Sequence, residues 1–338
     1  MNSNTRPVAD PRPAFVENPE QADQQQALGR RIITDGIRTV FLVGCGGSLA
    51  AYGPSVYTLD NRVPQLVVQA MNSDEFNYRK PAGLGPTSIV LVGSHTGTTA
   101  ETVRAIDTAK AAGAESVVSL TSDPESPLAT HADLAFTDRP TKWAWDPKEI
   151  AMARITQGIL DAAGLAASGF DEALAALPAD IPNVFADLDP ALHRIAEDLA
   201  TKPVTYALGS GPMEGMARAF AMFYMQEMLW RHAAAYNAGE FLHGPFEMTE
   251  SQAPYLVLCG EDATRPMTDR ALGFLNRYSE HVHVIDSREF RLAGVPDGVR
   301  AEIAPIVMSA VTTRLAQHLE AVLDHDLSTR RYMFSVEY

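Results

Sequence analysis

A strand signal, then G-x-G, then an apolar helix occurs twice in this chain, and that recurrence restricts the fold more than any other feature. "TVFLVGCGGSLAAYGPSVY" (39–57) can be laid beside "VTYALGSGPMEGMARAFAMFY" (204–224). A repeat of roughly 160 residues is too long for a solenoid and fits a duplicated α/β domain. In the first half, "RTVFLVG" (38–44), "PQLVVQA" (64–70), "TSIVLVG" (87–93) and "ESVVSLT" (115–121) are short β-branched runs bounded by turn residues, and "DLAFTD" (133–138) is a candidate fifth strand. Helical patterns lie between them, such as "TTAETVRAIDTAKAAG" (98–113), which ends at Gly113 as helices often do. Strands alternating with helices at this spacing give a parallel sheet covered on both faces. After a helical region around 150–200 the pattern restarts, and "YLVLCG" (255–260) and "HVHVID" (281–286) continue a second sheet. The stretch 217–236 reads as one long helix. The expected organisation is a first domain over 25–165, a second over 185–326 and a tail over 327–338.

Charge narrows the function. The 338 residues carry a formal net charge of −15 and no basic run, so nucleic acid and anionic membranes are poor partners. An anionic ligand must be held locally, by backbone N–H groups and hydroxyls. The two cysteines, Cys45 and Cys259, lack metal spacing and suit a reducing compartment. The polar, proline-rich N-terminus has no apolar signal core, and no apolar run approaches the ~18 residues of a membrane span. These features point to a cytoplasmic protein.

In a flavodoxin-like sheet of order 2-1-3-4-5, strands 1 and 3 meet where the strand order reverses, and ligands bind beyond their carboxyl ends. Strand 1 ends in "GCGGS" (44–48) and strand 3 in "GSHTGTTAET" (93–102), so two glycine- and hydroxyl-rich loops converge by topology. Ser94, Thr96 and Thr99 supply hydroxyls, Gly97 admits close backbone approach, and Thr98 with Glu101 reads as a capping box opening a helix. A helix N-terminus at that point is a natural phosphate site. Ordinary turn chemistry accounts for one such loop but less well for two. The spacing is neither a Walker loop nor a dinucleotide fingerprint, since Leu49 falls where the last Gly or Ala belongs. The corresponding loop of the second half, "GEDATRPMTDR" (260–270), carries Glu261 and Asp262, which repel phosphate, so one phosphate site per chain is expected.

Glu227 lies in the apolar stretch 219–230, where partial burial raises a carboxyl pKa toward the range of a general base, although a glutamate on a helix is also commonly solvated. His243 stands in "GEFLHGPFEMTE" (239–250), between Glu240 and Glu247 and directly before Gly244-Pro245, on a rigid turn of the kind that carries catalytic side chains. His95, inside the phosphate loop, is a second candidate donor. His232, His281 and His283 read as structural.

"GCGGS", "SHTGTTAET" and above all Glu227 followed by "NAGEFLHGPFEMTE" resemble the sugar isomerase (SIS) domain proteins, and the C-terminal "LSTRRYMFSVEY" (327–338) looks most like their fructosamine 6-phosphate deglycase branch. The resemblance implies two tandem flavodoxin-like SIS domains of α/β class. It implies a sugar phosphate held by Ser48, Ser94, Thr96 and Thr99, with the backbones of Gly47 and His95 nearby; Glu240 is a further candidate substrate-binding residue. Glu227 would be the proton-transfer base and His243 an acid/base group, with no metal and no redox cofactor. It further implies a homodimer, in which the histidine loop of one copy can complete the neighbouring subunit's site.

Departures separate the branches. Glutamine-dependent synthases need an N-terminal glutaminase, for which the segment before residue 25 is too short, and a C-terminal lysine, whereas no lysine follows Lys202. Gly47 stands where the synthase pattern has threonine. The expected reaction is cleavage of a 6-phosphofructosyl-amino acid to glucose 6-phosphate and a free amine. An amino-sugar phosphate isomerase or deaminase and a non-catalytic sugar-phosphate sensor remain alternatives. Arg330, Arg331 and Tyr332 are candidate contacts for the amino-acid carboxylate, or else a solvated terminus.

Overall fold

The computed structural model describes residues 8, 19–137, 146–333 and 335–337. The proline-rich start of the chain, Asp138 of the fifth strand signal, and Phe334 and Tyr338 of the tail lie outside the described residues. Two compact units divide at Ser168 and Gly169.

In the first unit, β1 (Thr39–Gly44), β2 (Val67–Asn72), β3 (Ser88–Gly93), β4 (Ser116–Thr121) and β5 (Leu134–Thr137) form one parallel sheet of order β2-β1-β3-β4-β5. β1 and β3 are buried along their whole length. That is why they read as unbroken apolar runs rather than alternating ones. Phe41, Val43, Val90 and Val92 pack on one side with Phe76 and Ile106, while Val40, Leu42, Ile89 and Leu91 pack with Tyr52, Ile155 and Ile159. Burying each such side chain contributes about 1.5–3 kcal/mol. The helices are α1 (Ala22–Thr34), α2 (Gly46–Ala50), α3 (Gly53–Arg62), α4 (Ser73–Arg79), α5 (Ala100–Ala111), α6 (Pro127–His131) and α7 (Asp146–Ala162). Gly29 and Gly158 let α1 and α7 approach so closely that a Cβ on Gly29 would lie 2.1 Å from the Ile155 carbonyl oxygen.

The second unit repeats the design. α8 (Phe170–Thr201) leads into β6 (Val204–Gly209), followed by α9 (Pro212–Ala219), β7 (His232–Asn237), α10 (Ala238–Phe241), β8 (Pro254–Cys259), α11 (Arg265–Tyr278), β9 (His281–Asp286) and α12 (Arg300–Leu323). Its parallel sheet has the order β7-β6-β8-β9, matching the first four strands of the other unit. Every residue of α12 from Ile303 to Ala321 is buried. Two of its polar members share one carboxylate: Arg314 forks onto both Asp189 carboxylate oxygens of α8 at 2.7 Å, and His318 Nε2 lies 2.9 Å from the same group.

The reading of 217–236 as one helix fails after Met228. α9 passes into a π-helical stretch, Phe220–Met228, and the chain then turns at Trp230, whose φ of +54° lies in the left-handed region. Beyond it, "HAAAYN" pairs with β6 as an edge strand, Val204 opposite His232 and Gly209 opposite Asn237. The alanines that suggest a helix are recruited by the open edge of β6, a tertiary effect that local propensity does not register.

Candidate active site

The first unit brings the two hydroxyl-rich loops together at the switch point of its sheet. Gly44 and Gly93, the last residues of β1 and β3, pair directly. A Cβ on Gly93 would fall 2.3 Å from the Tyr52 hydroxyl and 3.4 Å from Ser48 Cβ, so the loop after β3 and the short helix carrying Ser48 are packed side by side. Ser48 and Ser94 are buried, and Thr99 is half-buried. The Ser94 and Thr99 hydroxyls lie 2.8 Å apart, as do those of Thr96 and Thr98. Gly97 takes a left-handed φ of +66° and donates its N–H to Ser94 Oγ at 3.2 Å. The His95 carbonyl is fixed by Ser122 N–H at 3.0 Å and by the Thr121 and Ser122 hydroxyls at 3.1 and 2.6 Å.

The capping box read at Thr98 and Glu101 does not form. The N-cap of α5 is Thr99, one residue later, and it makes no side-chain cap bond. The Thr98 hydroxyl is turned to Thr96, and Glu101 Oε1 lies 3.5 Å from Cys45 Sγ. The opening of α5 is thus left without a side-chain cap beside a cluster of hydroxyls, an arrangement that accepts an anion through N–H groups and the helix dipole. In the second unit the equivalent loop is occupied by its own carboxylates. Asp262 Oδ1 accepts from Thr264 N–H and Oγ1 at 2.9 and 2.6 Å, and Arg300 Nε contacts both Glu261 oxygens at 3.0 and 2.9 Å.

Glu227 sits near the end of the π-helical stretch and faces a cavity of about 610 Å³. Burial pushes its carboxyl pKa up, and the charge and hydrogen bond of Arg330 pull it partly back. Arg330 reaches Glu227 Oε1 at 3.1 Å and is itself tied by Nη1 to the Leu327 and Thr329 carbonyls at 2.7 and 3.0 Å. Trp230, Arg231, His232, Arg331 and Tyr332 also line the cavity. Arg330 and Arg331 stand out in the sequence as a basic doublet in an acidic chain, with Tyr332 directly after them. Trp230 and Arg231 carry no such signal, because their place follows from the turn at Trp230.

His243 is exposed at the end of α10 and is not among the residues that line the Glu227 cavity. Its turn is pinned by Phe241, which is fully buried, and by Phe246, whose ring centroid lies 5.4 Å from that of Phe274. Glu240 is exposed in the first turn of α10, where Asn237 Oδ1 caps the N–H groups of Gly239 and Glu240 at 2.8 and 3.4 Å. His281 and His283, read as structural, share one acceptor: their Nδ1 and Nε2 atoms lie 2.9 and 2.7 Å from Asp198 Oδ2. Among the described residues no group of three His, Cys, Asp or Glu side chains is arranged to hold a metal ion, and no helix is long and apolar enough to cross a membrane.

Comparison with known proteins places these features in a family. The SIS domain matches residues 36–141, the part of the chain that carries both hydroxyl-rich loops. Fructosamine deglycase FrlB of Bacillus subtilis is 32% identical over 96% of this chain and 98% of its own. The fructoselysine 6-phosphate deglycase of Escherichia coli strain K12 is 25% identical over 90% of this chain and 88% of its own. A Bacillus subtilis crystal structure described as that of a phosphosugar isomerase superposes with a TM-score of 0.86 at 31% identity, covering 94% of this chain and all of the other. The duplicated sheets, the paired glycine loops and full-length similarity lead to one assignment: the chain belongs to the SIS-domain family, on the branch that holds the fructosamine 6-phosphate deglycases.

Proposed function

We propose that the protein is a deglycase that cleaves a 6-phosphofructosyl-amino acid, an Amadori compound, to glucose 6-phosphate and a free amine. The observation that carries this reading is Glu227, a carboxylate with a pKa raised by burial, facing a cavity large enough for the amine portion of such a substrate. A carboxylate in that state is a better proton acceptor near neutral pH than a solvated one.

The chemistry needs only proton transfer and water. In the open-chain ketoamine, C1 carries the amine and is acidified by the neighbouring C2 carbonyl. Glu227 takes the C1 proton, the electron pair moves into the C1–C2 bond, and the former carbonyl oxygen on C2 takes a proton to give an enaminol. Return of a proton to C2 converts this to the imine of an aldose. Water adds at C1, the C–N bond breaks with a proton passing to nitrogen, and an aldehyde is left on the sugar phosphate. The hydroxyls of Ser48, Ser94, Thr96 and Thr99, the backbones of Gly47 and His95 and the uncapped start of α5 would hold the phosphate. Glu240 belongs to the same proposed binding set.

His243 is proposed as the second acid/base group, for ring opening or proton return. Its exposure, and its absence from the lining of the Glu227 cavity, support action on a neighbouring subunit's site in a cytoplasmic homodimer. Mixing inactive Glu227→Gln and His243→Asn proteins under conditions that exchange subunits tests this. Recovered activity supports action in trans, and no recovery despite subunit exchange contradicts it. The activity itself is tested by release of glucose 6-phosphate from a panel of 6-phosphofructosyl-amino acids. Release of ammonia from a simple amino-sugar phosphate instead would redirect the assignment to a deaminase.

A further inference from the structure

The cavity that Glu227 faces carries more positive charge than its single carboxylate can balance. Three arginines, Arg231, Arg330 and Arg331, line the cavity with a single carboxylate, in a chain whose net charge is −15. Arg330 is taken by Glu227. Arg231 donates Nη2 to the Ala200 and Lys202 carbonyls at 3.0 and 2.6 Å, which fixes its direction without neutralising it. Arg331 has neither an ion pair nor a hydrogen bond among the described residues. Its guanidinium instead lies over the Trp230 ring at 4.3 Å.

Trp230 is a costly platform to build by accident. Its backbone is held in the left-handed region at φ +54°, a strain of order 1–3 kcal/mol for a residue of this kind, and its ring meets His325 edge-on at 4.7 Å. A guanidinium over such a ring can direct its N–H fork outward from its edges, toward a carboxylate that takes two parallel hydrogen bonds.

We propose that Arg331, stacked on Trp230, is the subsite for a carboxylate on the amine portion of the substrate, and so selects acidic over neutral or cationic amines. This rests on the reading of the cavity as the deglycation site. The chemistry fits the spacing of the groups. When an amino acid is linked through its α-nitrogen, the carboxylate carbon is two bonds from that nitrogen and three from C1, close to the proton that Glu227 removes. Arg330, adjacent in sequence, is the ion-pair partner of Glu227 in the same cavity, so the group that holds the base and the carboxylate receptor are neighbouring residues of one tail. A cationic group in this position would face two unneutralised guanidinium groups.

The test compares two substrates that differ only in charge, 6-phosphofructosyl-glycine and 6-phosphofructosyl-glycinamide. The acid should be preferred in kcat/KM by roughly ten- to a hundred-fold, the span of a hydrogen-bonded charged group. In Arg331→Gln that ratio should fall toward one, with most of the change in KM, and Arg331→Lys should keep part of it. A wild-type ratio near one, or a preference that persists in Arg331→Gln, overturns the proposal. Failure of both substrates to react would count against the deglycase reading and not against the subsite. In that case the C2-reduced, non-cleavable forms of the same pair are compared by calorimetry. Tighter binding of the acid that is lost in Arg331→Gln upholds the subsite, and equal affinity or no binding of either form overturns it.

Discussion

Replacing Gly97 by alanine should damage the loop after β3, the proposed phosphate site, more than its backbone angle alone explains. At φ +66° an L-residue is strained by roughly 1–2 kcal/mol. The added Cβ would also lie 2.1 Å from Ser126 Oγ, 2.4 Å from Ser126 Cβ and 2.8 Å from Thr121 Oγ1. Ser126 cannot simply swing away. It is 2% exposed, donates to the Asp123 carbonyl at 2.7 Å and caps α6 through Ala129 N–H at 3.3 Å. Forcing a methyl into such packing costs about 1–3 kcal/mol, so the total is about 2–5 kcal/mol against a typical domain stability of about 5–15. Gly36 supplies the control within the same unit, with φ +75° and nothing within 4 Å of its Cβ position. Gly36→Ala should therefore lose only the backbone part. Urea unfolding of the two variants, compared by midpoint at unchanged slope, separates strain from clash. Gly97→Ala should also lose affinity for a sugar phosphate, measured calorimetrically. Equal destabilisation of the two variants, with phosphate binding intact, would refute the argument that close packing shapes this loop.

Arg330→Gln removes the group that holds the Glu227 pKa down, so the acid limb of the kcat/KM profile should move to higher pH; an unmoved limb, or one displaced to lower pH, contradicts the pairing. Stability should fall in two stages on acidification. Burial lowers the His318 pKa, so the unfolded chain takes up a proton first as pH drops through about 6.5, and stability declines from there; His318→Gln should flatten that decline in a pH series of urea midpoints. At Asp189, Asp198 and Asp286, burial acts to raise the pKa but is outweighed by hydrogen bonds from Arg314 and His318, from His283 and His281, and from Arg265 respectively. Their stabilisation is complete above an unfolded carboxyl pKa of about 3.9 and is lost as pH falls below it, so a second collapse confined to that range is expected. Stability that stays level from pH 7 to pH 5 in the wild type would contradict the His318 assignment.

The first-unit sheet is legible because its central strands are buried on both faces, so β1 and β3 announce themselves as apolar runs ending in Gly, and β4 as a β-branched run ending in Thr. The meeting of the two glycine loops followed from strand order alone, and the Gly44–Gly93 pairing realises it. β7 was hidden for the opposite reason. Edge strands are chosen by their neighbour, and an alanine-rich stretch after a helix gives no local hint of the change. The capping-box pattern falls one residue short of the N-cap at Thr99 because neighbouring threonines carry the same chemistry, and packing decides which one opens α5. Glu227 could be singled out as a carboxylate in an apolar stretch, but its partner Arg330 lies far along the chain, and no periodicity links the two. Trp230 could not be foreseen at all, since its role depends on a backbone angle that tryptophan rarely adopts.

The proposed reaction turns on the removal of a sugar proton by Glu227. Its most direct measurement is the loss of the C1 hydrogen of 6-phosphofructosyl-glycine, followed by deuterium exchange from solvent alongside glucose 6-phosphate release, in wild type and Glu227→Gln. Exchange and release should both occur in the wild type and fall about 10²–10⁴-fold in the variant, the usual contribution of a general base. Release that survives in Glu227→Gln, or release without C1–H cleavage, would contradict it.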